Sequence, residues 1–147
     1  MLLPLPQPSL ATDLERLIMI AFAKLPFFIH DIVASFAGLT FIFRPGKQLS
    51  PLSPSAQLIL QCYGGLILFT NLISLIMIAR PVVDETTRLV AFAFSFWHAW
   101  PSYRAVVRMQ KGIDVEGEMG KTLGGPAIHL AVHALLFFMF LYVGFFE

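Results

Sequence analysis

The residues of this chain able to do chemistry are set inside apolar stretches. His30 and Asp31 stand side by side within residues 26–43, PFFIHDIVASFAGLTFIF, and Gln61, Asn71, Ser95, His98, His129 and His133 interrupt the other apolar runs. An ionised Asp costs roughly 2.5 to 3.5 kcal/mol at the centre of a spanning helix, so packing alone does not select one. A carboxylate and imidazoles in opposed environments hold different protonation states at one pH, which is what general acid-base chemistry requires. Asp31 therefore reads as a base or a stabiliser of developing positive charge, and His98 or His133 as the acid. His30, Asn71, Ser95, Gln61 and His129 read as groups that bind or orient substrate or water.

Two other readings use the same residues. Ser, Asn, Gln and His also hydrogen-bond between membrane helices for packing alone, which would make them polar glue in a scaffold or a lipid-binding subunit. His98 and His133, at equal depth on different helices, would serve as axial ligands of a haem, at the expense of leaving Asp31 and Asn71 without a role. His129 and His133 share a helix face at a spacing of four, but no HExxH accompanies them and Asp31 is the lone carboxylate within the spans. The acid-base reading needs no metal and no other cofactor.

These residues need elements to position them. Of 147 residues, 57% are apolar and 13% charged, a composition far from that of a soluble domain. Blocks at about 24–43, 56–79, 87–108 and 126–146 each approach the roughly 20 residues that a helix needs to cross the hydrocarbon. Short connections make neighbours antiparallel. The fold class expected is all-α: an integral membrane up-and-down four-helix bundle over residues 24–147, with both ends on one side. Residues 1–23 are expected to form a proline-rich extended start and an interfacial helix. Thr12 and Glu15 there read as a capping box that opens a helix near Asp13, which lies in the interface or runs into the first span with a bend at Pro26. No basic n-region precedes the first apolar run, so no signal peptide is expected.

Two partner classes are removed by composition. The net charge of +1 and scattered cations give no basic stripe for nucleic acid. Cys62, the single cysteine, supports neither a disulfide framework nor a cysteine metal site.

Helical spacing places Gln61, Gly64, Leu68, Asn71 and Leu75 on one stripe, and Arg88, Ala91, Ser95, His98 and Ser102 on another, with Trp97 and Trp100 turned toward lipid. Counted from the side bearing the termini, Asp31, Asn71 and Ser95 lie roughly 10 to 14 Å down, His98 and His133 roughly 18 to 20 Å, and Gln61, Tyr103, Arg104 and His129 roughly 24 to 27 Å. Each span thus contributes to a polar interior. Arg104 and Arg108 read as interfacial anchors, and the glycine-rich residues 109–125 as a flexible lid. The phenylalanines of the fourth span read as a lipid-facing wall or a homo-oligomer contact. The distribution of Lys and Arg leans toward termini facing away from the cytosol.

The motifs PFFIHDIVASFAGLTFIFRP, QLILQCYGGLILFTN with the following AR and DETTR, and FWHA resemble those of a group of small four-span fungal membrane proteins, over most of the chain from Lys24 onward. In that group an acid matches Asp31, often as Glu-Pro where this chain has Asp31-Ile32, an Asn matches Asn71 and a His matches His98. Its terminal span tends to carry Asn and Arg where this chain has His129 and His133. The resemblance implies an endoplasmic-reticulum enzyme of secondary metabolism that opens, cyclises or isomerises an epoxide on a lipophilic substrate. Such a reaction needs an acid for the departing oxygen and a carboxylate to activate water or steady a cation.

Overall fold

The computed structural model describes residues 10–49, 51–112 and 125–146. Four α-helices and no strand occur among them: α1 (Leu10–Phe43), α2 (Pro54–Ala79), α3 (Glu85–Lys111) and α4 (Gly125–Phe146), with a short 3-10 turn at Pro45–Lys47. The expected all-α bundle is what forms.

Helix α1 is continuous through Pro26, which is buried inside it and supplies no N–H to the Phe22 carbonyl. Of the two readings of the N-terminal helix, the structure shows the one that runs on into the first span. Because α1 is already helical at Leu10, Thr12 is inside it and does not open it. Residues 1–9 lie outside the described residues, as do 113–124, where the lid was expected. The apolar part, Asp13–Phe43, would measure roughly 46 Å at about 1.5 Å per residue, longer than the hydrocarbon layer.

The other helices start where their caps dictate. Ser53 Oγ accepts from Ala56 N at 3.2 Å, with Pro54 in the first turn where a missing N–H costs nothing, so α2 begins ahead of the expected block at 56–79. Asp84 and Thr87 form a reciprocal capping box, so α3 begins at Glu85, ahead of the expected block at 87–108. Helix α3 ends at Gly112, which takes the left-handed conformation (φ 59°) and gives its N–H to Arg108 O.

Three helices, α1, α2 and α4, are long and apolar enough to cross a membrane. The expectation of four apolar spans is corrected at α3. That helix is long enough, but residues 95–104, SFWHAWPSYR, dilute its apolarity below that of a spanning segment. Within that stretch Ser95 and His98 are buried, whereas Tyr103 and Arg104 are exposed. The large apolar side chains exposed along α1, α2 and α4, among them Leu17, Phe36, Ile59, Phe69, Leu135 and Phe138, present the surface expected of an integral membrane protein.

The bundle is assembled from two antiparallel pairs. Helix α1 packs along α2 and α3 along α4, while the pairs meet more sparsely through large side chains. The α1–α2 approach is set by two glycines: a Cβ at Gly64 would stand 2.8 Å from Gly38 O. In the other pair a Cβ at Gly144 would stand 2.9 Å from the Phe92 ring. Each pair is also clamped by a cation at the same end. Lys24 Nζ donates to the C-terminal carbonyls Ile78 O (2.9 Å) and Arg80 O, and Arg88 Nε donates to Gly144 O at 3.2 Å.

Two apolar clusters fill the interior. Ala23, Phe27, Met77, Ala91, Phe94, Leu136, Phe140 and Val143 occupy the half nearer the described chain ends, and Ala34, Phe41 and Ile67 the other, flanked by Tyr63 and Trp97. Trp97 does not face lipid as expected. It lies partly buried against Tyr63, stacked at 6.3 Å, while Trp100 is 60% exposed. The inward stripe of α2 runs through Gly64, Ile67, Thr70, Asn71, Ser74 and Met77, and the expected Leu75 is turned outward.

Candidate active site

Between the two apolar clusters lies a row of three imidazoles and one hydroxyl that takes one side chain from each helix. His30 of α1 is buried, 1% exposed, and its Nδ1 is 3.0 Å from Nε2 of His98 on α3. Its other nitrogen, Nε2, is 2.9 Å from Thr70 Oγ1 on α2. His98, equally buried, places its Nδ1 2.8 Å from Nδ1 of His133 on α4. The His129 ring lies one turn away on α4, its centroid 4.4 Å from that of His133. All four histidines of the chain thus gather in one layer.

Aromatic rings wall the layer on the inside. Phe94 meets His30 in a T-shaped arrangement at 4.8 Å, and Phe140 stacks on His98 at 5.6 Å. His133 is half-buried, the least enclosed member of the row. Arg104 and Arg108 lie within electrostatic reach of His129, on the side of the α3–α4 connection.

The other expected site residues fall into separate groups. His98 and His133 are together, as their depth implied, and His30 joins them. Asp31 does not: its carboxylate has no hydrogen-bond or ion-pair partner among the described residues, and its backbone carbonyl accepts from Asn71 Nδ2 at 3.3 Å. Asn71 Nδ2 also donates to Ser35 Oγ at 2.7 Å, tying α2 to α1, while Oδ1 is buried without a partner among the described residues. Ser95 is buried on α3, on the same stripe as His98. Gln61 lies at the far end, where Nε2 donates to Ile42 O at 3.2 Å and secures the end of α1. Thr70 was missed by sequence reasoning, because a threonine in an apolar run is common and only its contact with His30 distinguishes it.

The geometry disagrees with a bis-histidine haem. Two axial imidazole nitrogens on one metal stand about 4 Å apart, at about 2.0 Å per bond, whereas the facing nitrogens of His98 and His133 are 2.8 Å apart. Among the described residues no three of His, Cys, Asp and Glu are arranged to hold a metal ion.

Fold and site together define a helical bundle of membrane-protein character with a histidine chain through its core. No family model, curated protein or solved structure matches the chain.

Proposed function

We propose that the protein is a membrane-embedded enzyme using general acid-base chemistry to open, cyclise or isomerise an epoxide on a lipophilic molecule. The observation that carries the acid-base part is the hydrogen-bonded sequence His133, His98, His30, Thr70, with one end half-buried and the rest enclosed by phenylalanine rings. Structural glue needs pairs of polar groups. A run of three imidazoles is a medium through which a proton taken at one end is shared along the row.

The reaction balances with this one device. A hydroxyl of water or of the substrate gives its proton to the half-buried imidazole as its oxygen bonds to an epoxide carbon. The carbon–oxygen bond of the ring breaks, its electron pair stays on the epoxide oxygen, and that oxygen receives the proton back. In between, hydrogens shift along the row and the positive charge moves toward His30, against the Phe94 ring. Asp31, one residue from His30 but outside the row, is left as a separate carboxylate able to steady cationic character in the substrate. The epoxide, the lipophilic secondary metabolite and the endoplasmic reticulum are supported by the motif resemblance.

The test is turnover of a panel of lipophilic epoxides by microsomes containing the wild type, His98→Ala or His133→Ala. Product from the wild type and none from either variant is expected; equal turnover in all three overturns the proposal. A scaffold reading is favoured by one observation, that the Thr70, His30 and His98 groups satisfy one another internally. It predicts no turnover at all and a protein partner that co-purifies.

A further inference from the structure

The geometry points to Thr70 as the residue that sets the direction of the imidazole chain, leaving Nε2 of His133 as the unprotonated end that accepts the substrate's proton. This deepens the acid-base reading and rests on it for the catalytic role of His133, while the direction of the chain stands on hydrogen-bond accounting alone.

The accounting starts at the far end. Thr70 Oγ1 is 2.7 Å from Ile67 O, and a carbonyl oxygen can only accept. Two oxygens at that distance with no hydrogen between them would repel, so the single hydroxyl hydrogen of Thr70 is committed to Ile67 O. Thr70 Oγ1 can then only accept from His30, which places the His30 hydrogen on Nε2. No carboxylate belongs to the chain to balance an added charge, and a neutral imidazole carries one N–H and one lone pair. His30 Nδ1 is therefore the acceptor, and His98 Nε2 donates to it. His98 Nδ1 becomes an acceptor in turn, and the hydrogen between the two facing δ nitrogens belongs to His133. Nε2 of His133 is left with its lone pair, on the half-buried ring at the least enclosed end.

One hydroxyl thus dictates three tautomers and the chemical character of a ring on another helix. If the hydroxyl is replaced by a methyl, the His30 N–H loses its acceptor. The row is better satisfied the other way round: His30 Nδ1–H to His98 Nε2, His98 Nδ1–H to His133 Nδ1, and a hydrogen on Nε2 of His133. The half-buried end would change from base to acid. Thr70 is a positioning residue in this scheme, and the ligand class defined by His133 is a lipophilic molecule presenting an O–H, or water delivered to it.

The experiment is nitrogen NMR of the full chain carrying 15N-histidine in phospholipid nanodiscs, where protonated and bare ring nitrogens resonate far apart. Signals are assigned with single His→Gln variants. The expected wild-type pattern is N–H at Nε2 of His30, Nε2 of His98 and Nδ1 of His133. Thr70→Val is expected to move all three hydrogens to the opposite nitrogens, and Thr70→Ser to leave them in place. An Nε2–H signal at His133 in the wild type overturns the inference, whether or not the valine variant folds; so does an unchanged pattern in a folded Thr70→Val. The expected tautomers without turnover of any epoxide would sink the enzymatic proposal and leave the chain's direction standing.

Discussion

Nδ1 of His98 faces Nδ1 of His133 at 2.8 Å, so α3 and α4 are joined in the core by one hydrogen shared between two like nitrogens. Each of these rings presents its other nitrogen elsewhere, which is what allows the contact to be a link in a row and not an end.

Removing the middle of the row should be costly in two separate ways. His98→Phe keeps a ring stacked on Phe140 but strands the groups on either side, so unfolding free energy in detergent should fall by about 1 to 3 kcal/mol. Turnover should fall by roughly 10²-fold or more, the scale of a lost proton-transfer group. A stable variant with full activity would show that the row is not used.

Asp31→Asn should leave the melting temperature unchanged or raise it, because the carboxylate has no partner among the described residues to lose. A large fall in a thermal melt would reveal a structural partner. Turnover measured on the same preparation should drop if the carboxylate steadies positive charge in the substrate.

The two adjacent glycines of α2 offer a controlled comparison. Gly64→Ala places a methyl 2.8 Å from the Gly38 carbonyl and should destabilise by about 1 to 3 kcal/mol as α1 and α2 are forced apart. Gly65→Ala meets nothing within 4 Å and should be neutral or slightly stabilising through better helix propensity. Similar melts for both variants would contradict the close approach.

Asp84 gives a prediction about pH. The Thr87 backbone N–H, and secondarily Arg80, hold its pKa below the ordinary 3.8. A depressed folded-state pKa means stability that is present above about 3.9 and is lost as pH falls through the lower folded value. Wild-type stability relative to Asp84→Asn should therefore shrink as pH is taken from 5 toward 3, measured by denaturant melts. A constant difference across that range would show that the cap is not carried by the charge.

The bundle could be read from the sequence because apolar runs near 20 residues, proline-bearing breaks and short connections all specify the same thing. The caps at Ser53 and Asp84 were not read, and they start the helices at Pro54 and Glu85, ahead of the apolar blocks. What did not carry over was rotation. His30 and Asp31 are neighbours, and about 100° separates them around a helix, so one faces the core and the other does not. Reasoning from the cost of ionisable groups favoured the aspartate, whereas the packing of Phe27, Phe94 and Phe140 turned the histidine inward. Thr70 carried no signal at all, since its importance lies in a single hydrogen. In α3 the polar residues that made the helix interesting also made it too polar to count as an apolar span.

The division into two clamped pairs has a mechanical consequence. The bond between His30 and His98 crosses the seam between them, where few backbone approaches brace the contact. Lateral pressure, bilayer thickness or a wedge of lipid that spreads the pairs would stretch that one hydrogen bond before disturbing Lys24 or Arg88 at the ends. The histidine row would then act as a strain gauge, parting between His30 and His98 while each hairpin stayed intact.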